Sequence, residues 1–139
     1  MAVYNKFRQF VEDLAKGVHN LSTGVLTVAL TATANAPVNT NSILGDLTQV
    51  SYTNLSSRAI TTTSCVQTAG VLKLILTDLV LTASGAVATF RYVAIYNDTP
   101  TSPADPLIAW YDYGSDVTLA NGETFTIDFD GANGFLQIA

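Results

Sequence analysis

The side chains best suited to acid, base, nucleophile or ligand work at neutral pH are few: one histidine, His19, one cysteine, Cys65, and eleven carboxylates. His19 follows an N-terminal segment of helical periodicity, with no serine or carboxylate at a motif spacing from it, and reads as a capping or solvated histidine. No G-x-S-x-G nucleophile elbow occurs. With a single His and a single Cys, a transition-metal site would have to be built from carboxylates alone. Asp128-Phe129-Asp130-Gly131-Ala132-Asn133-Gly134 sets oxygen ligands around a glycine turn, as calcium loops do. It lacks the spacing and the later bidentate Glu of an EF-hand, and reads as a strand's solvent face followed by a turn. Asp112, Asp116 and Glu123 are of the right type for a paired-carboxylate glycosidase, and the neighbouring Trp110, Tyr111 and Tyr113 suit a sugar platform. The glycines mark turns and build no phosphate cradle. Cys65, in the Thr-rich run T-T-T-S-C-V, reads as a small, half-buried hydrophobe with no positive charge beside it to make it reactive. The reading assigns no catalytic, cofactor-binding or metal residue, and no cofactor.

Charge sharpens this. The six basic residues, Lys6, Arg8, Lys16, Arg58, Lys73 and Arg91, all precede Tyr92. Seven acids follow it: Asp98, Asp105, Asp112, Asp116, Glu123, Asp128 and Asp130. Nucleic-acid binding needs Lys and Arg gathered on one face, and no such cluster exists. Charged residues are 12% of the chain and hydrophobic ones 48%, against a usual charged share of roughly 25%. A chain so poor in charge covers itself with Thr, Ser and Asn, with other subunits, or with both. One unpaired thiol fits manufacture in a reducing cytoplasm. The first twenty residues hold no uninterrupted apolar core of the signal-peptide kind, and no stretch reaches the length of a membrane span, so a chain made and kept soluble is expected.

The elements that would position these residues follow from periodicity. Tyr4 to Val18 is the one good helical segment. Tyr4, Phe7, Phe10, Val11, Leu14, Ala15 and Val18 fall within an arc of about 140°. Asn5 is a candidate N-cap and Gly17 or Asn20 a stop. From Val25 the period becomes two, with Leu26, Val28 and Leu30 on one face and Thr27 and Thr31 on the other. Asn35 to Ser42 reads as a loop, and Ile43 to Val50 as a turn of helix or a short edge strand. Ala59 to Thr68 and Val71 to Thr77 form a hairpin around Ala69-Gly70. Leu79 to Ala83 and Ala86 to Asn97 flank Ser84-Gly85. Phe90 to Tyr96, apolar on both faces, must be central or covered. The proline-rich segment Asp98 to Pro106 is a loop, and Leu107 to Tyr113 a strand. Val117 to Leu119 and Thr124 to Asp130 make a hairpin with Phe125, Ile127 and Phe129 facing in, and Phe135 to Ile138 is the last strand.

Eight or nine short strands behind one helix predict a mainly β fold: an antiparallel β-sandwich or jelly roll with one N-terminal amphipathic α-helix. One domain covers 1–139, with the helix and its exit in 1–20 and the strands in 24–139. Trp and Tyr dominate interface hot spots, so Tyr96, Trp110, Tyr111 and Tyr113 are the candidate interface residues. Alternation puts Leu107, Ala109, Tyr111 and Tyr113 on one face of their strand and Ile108, Trp110 and Asp112 on the other. The helix adds Phe7, Phe10, Val11 and Leu14, which can pack the domain or join it to a second copy.

The opening Y-N-K-F-R-Q-F-V-E-D-L-A-K-G-V-H-N-L followed by V-L-T-V-A-L-T resembles small virion proteins of tailed bacteriophages. So do F-R-Y-V-A-I-Y-N-D-T, P-L-I-A-W-Y-D-Y-G and the ending G-E-T-F-T-I-D-F-D-G-A-N-G. The resemblance runs in order over nearly the whole chain, and several capsid cement or decoration proteins look like this. It implies a protein that binds the outer surface of the head and bridges capsid subunits, with the major capsid protein and itself, as dimer or trimer, for partners. Nucleic acid and membrane are not among them. It also implies synthesis in the bacterial cytoplasm and a final place on the virion. The alternatives are a tail or baseplate component, and then a module binding host glycans.

Overall fold

The computed structural model describes residues 2–139 and is mainly β, with 43% of the chain in strands and 9% helical. Among the described residues nine strands occur, in the order β1 (Tyr4–Lys6), β2 (Leu26–Thr31), β3 (Thr62–Thr68), β4 (Val71–Leu76), β5 (Leu79–Thr82), β6 (Phe90–Asn97), β7 (Leu107–Val117), β8 (Thr124–Ile127) and β9 (Leu136–Ile138). One α-helix, α1 (Gln9–Ala15), lies between β1 and β2. The strands form three open antiparallel sheets, ordered β1-β7-β6-β2, β3-β4-β9 and β5-β8.

β6 sits inside the four-stranded sheet, and its two apolar faces are both buried. Val93 and Ile95 join the main core with Leu26, Val28 and Leu30. Ala94 and Tyr96 enter a smaller one with Phe7, Ala29 and Leu107, bordered by Leu44, Leu47 and Trp110. Successive strand residues point to opposite sides, so the two cores lie on the two faces of one sheet. The other two sheets complete the main core with Leu74, Leu76, Leu81 and Ile127, and the chain end adds Phe129 and Phe135. Thr27 and Thr31, on the polar face of β2, are also buried.

Several expectations need correction. Helical periodicity begins too early: Tyr4 to Lys6 is a strand, paired Tyr4↔Tyr111 and Lys6↔Ala109 with β7. The reason is aromatic packing, since the Tyr4 ring meets Tyr111 at 5.8 Å and Phe135 at 5.5 Å, both edge-on. Arg8 stands at the helix N-cap without a side-chain hydrogen bond, so Asn5 caps nothing there. Gly17 does stop the helix. At φ +78° it donates to the Leu14 carbonyl while Val18 donates to Asp13, the paired bonds of a left-handed terminator. In β7 the strict alternation fails at a bulge. Ile95 faces Ala109 while Tyr96 faces Leu107, so Ile108 is an extra residue. Ile108 and Ala109 therefore share the main core and Leu107 falls in with Trp110. The turn before β8 forms, with Ala120 donating to Glu123 Oε2, but β8 pairs with β5, Leu81 opposite Phe125. Ser84-Gly85 thus joins strands of different sheets. Around Ile43 the chain makes one 3-10 turn, Leu44–Asp46.

Candidate interaction surface

Several side chains of possible chemical use are engaged within the fold. Arg91 and Asp112 make a two-bonded pair, Nε to Oδ1 at 2.8 Å and Nη2 to Oδ2 at 3.0 Å, and the Gly114 N–H donates to the same carboxylate. This guanidinium, more than the backbone N–H, holds Asp112 below the usual carboxylate range. Asp116 accepts from Thr33 Oγ1 at 2.5 Å, and Glu123 accepts from the Ala120 N–H at 2.8 Å. Asp130 accepts from the N–H groups of Asn133 and Ala132 and from Asn133 Nδ2. These donors hold its carboxyl low and make Asp130 the cap of its turn. Among the described residues, no three of His, Cys, Asp and Glu gather as metal ligands.

His19 is not solvated, contrary to the reading from its position. It is buried beneath Phe10, rings 5.1 Å apart, and beside Asn97. Asn97 Oδ1 accepts from the Thr99 N–H, which leaves its amide nitrogen to donate to His19 Nδ1 at 3.2 Å. The imidazole proton then belongs on Nε2. That nitrogen and Asp13 Oδ2 are both buried without a hydrogen-bond partner. Gln9 Nε2 donates to the other Asp13 oxygen at 3.1 Å. Burial lowers the His19 pKa, and the nearby Asp13 charge opposes that shift. The fold builds this cluster from the helix, its exit and the end of β6, and the composition of 9–19 alone shows only part of it.

The eight candidate interface residues separate into inside and outside. Phe7 and Tyr96 are buried in this chain's own cores and cannot meet a partner directly, a correction to their assignment, and Phe10 is buried too except where it reaches the groove beside α1. Trp110 is half-buried, its ring 4.6 Å from Phe7. Tyr111 lies on the opposite face, against Tyr4, and its phenol is pushed up by burial. Tyr113 is 51% exposed and lies against Phe125 beyond the register shift that follows Asp112. The three neighbouring aromatics therefore form no common platform. Val11 is 51% exposed and Leu14 half-buried. With Tyr4, Phe10, Leu136 and Ile138 they line an open, mainly apolar groove between α1 and the C-terminal segment. Sequence reasoning missed Tyr4 and Ile138 as groove residues; their exposure follows from pairings that no local pattern encodes. Lys6 stands at the groove's edge.

The half-buried Cys65 thiol is pushed up by its surroundings. Among the described residues, no helix is long and apolar enough to cross a membrane. Comparison of the chain with known protein families, with curated proteins and with solved structures finds no match.

Proposed function

We propose that this protein is a bacteriophage capsid cement or decoration protein, which binds the outer surface of the head and bridges capsid subunits. The observation that carries the reading is the groove where α1 meets the C-terminal segment, with Val11, Tyr4 and Ile138 left open to solvent on a chain of only 12% charge. Apolar surface left in water favours a partner that covers it. The proposed partners are the major capsid protein and further copies of this chain. A protein that binds only the assembled lattice stabilises that lattice by mass action, and several copies bridging subunits add avidity. The finer architecture proposed with it is a sandwich or jelly roll, the four-stranded sheet forming one layer and the two smaller sheets the other. Tail or baseplate proteins share such architecture and are the second reading. A glycan module is third, because Trp110, Tyr111 and Tyr113 point apart.

The test is immunogold electron microscopy of intact virions with antibody to the recombinant protein. Gold over the heads is expected. Gold confined to tails selects the second reading, and absence of gold overturns an external virion role.

A further inference from the structure

We infer that β3 is a self-pairing edge, which joins two copies of this chain in an antiparallel strand pair about a two-fold axis at Val66. β3 is hydrogen-bonded to β4 alone. The edge of β2 is sealed by Val50, Arg58 and Ile60, and that of β5 by Ser56, while β8 is only four residues long. β1 and β9 are three residues long, and β1 carries Lys6. β3 has seven residues, T-T-S-C-V-Q-T, with no charge and no proline. Lysine, proline and short length are the usual guards of an exposed edge, and β3 lacks all three.

The turn fixes which backbone groups are free. Thr68 and Val71 flank the two-residue turn Ala69-Gly70, so they form a hydrogen-bonded pair. Alternation then turns the N–H and C=O of Gln67 and Cys65 outward, away from β4. A bulge between Thr62 and Ser64 leaves 64–68 as the regular stretch. Its centre is Val66, 60% exposed. Ser64, Val66 and Thr68 share a face with Val71, Lys73 and Ile75.

These features fit a second copy. A two-fold axis at Val66 sets Val66 against Val66 of the second copy and Ser64 against its Thr68. On the other face Cys65 meets its Gln67, and the outward backbone groups of these two residues bond each other. Neither face sets like charges against each other. No like charges meet at the seam, because Lys73 is turned to the Ala132 carbonyl at 3.1 Å. The two three-stranded sheets then become one of six. This inference deepens the self-association named among the proposed partners, and it holds or fails independently of the capsid, since the pair forms without a head or a tail.

The register makes the test specific. Val66 and its mate form a non-hydrogen-bonded pair, with Cα atoms roughly 4.5 Å apart, inside disulfide range. Cys65 and Cys65 of the second copy stand on the diagonal, roughly 7–8 Å apart and beyond that range. Under mild oxidation, V66C in a C65S background and Q67C with native Cys65 are expected to give covalent dimers on a non-reducing gel. The wild type and a V80C/C65S control on β5, also exposed, are expected to stay monomeric. In sedimentation the unmodified protein is expected to associate with rising concentration. V66K is expected to abolish this with an unchanged circular dichroism melt. Equal cross-linking of V80C, failure of V66C to cross-link, cross-linking through Cys65 alone, or a wild type monomeric at every concentration each overturns the inference.

Discussion

Ala69 holds φ +53° ahead of Gly70 at φ +82°, a pair of left-handed residues that a two-residue hairpin turn requires. Alanine strains there, while asparagine tolerates the conformation. A69N is expected to stabilise the protein by about 1 kcal/mol in urea unfolding. The hairpin was legible because turn chemistry is local. His19 was not, because its partner Asn97 is distant in sequence and its burial depends on how the helix lies on β6. Its titration follows from that burial. The folded pKa lies below the ordinary 6.5, so the unfolded chain takes up the proton first. The groups facing it are Asp13 from α1, which opposes the shift, and the neutral Asn97 and Phe10. Stability is therefore full above pH 6.5 and falls below it, levelling only once the folded imidazole is charged. H19Q is expected to flatten this decline when urea midpoints are followed from about pH 7 to pH 5. Asp46, Asp112 and Asp130, all held below 3.8, lose their contributions in a separate, more acidic range.

Elements obey neighbours as well as their own pattern. Strand positions were readable from alternation, and the doubly apolar β6 correctly implied a covered, internal strand. The failures have named causes. The bulge at Ile108 shifts a face without changing composition, and β1 hides in a helical period because Tyr4, Phe7 and Phe10 are spaced by three. The seam of β1 and β7 has an alkaline signature. Burial pushes the Tyr4 phenol up to about 12 and moves Tyr111 the same way. Unfolded tyrosine ionises near 10, so stability is lost as pH rises above that value. Y4F is expected to reduce this loss in melts taken above pH 10. Phe10 anchors α1 to the core at 5% exposure, and F10A is expected to cost about 3 kcal/mol. V11A, at an exposed position in the groove, is expected to leave the melting temperature nearly unchanged while weakening the proposed attachment to capsids.

For the whole molecule, low charge sets how assembly responds to solution conditions. The β3 seam contains no ion pair, so raising salt is not expected to dissociate the dimer, unlike contacts held by screened charges. Sedimentation at low and high ionic strength checks this, and a steep loss with salt would contradict an uncharged seam. The docking of Tyr4 on both Tyr111 and Phe135 has a further meaning for synthesis. A ribosome makes β1 well before β7 and Phe135, the partners it packs against. While the intervening chain emerges, the N-terminal strand has neither its pairing edge nor its aromatic neighbours, and closing so long a loop slows folding. Tyr4 therefore has no pairing strand until β7 is made and lacks its second aromatic neighbour until residue 135 is in place.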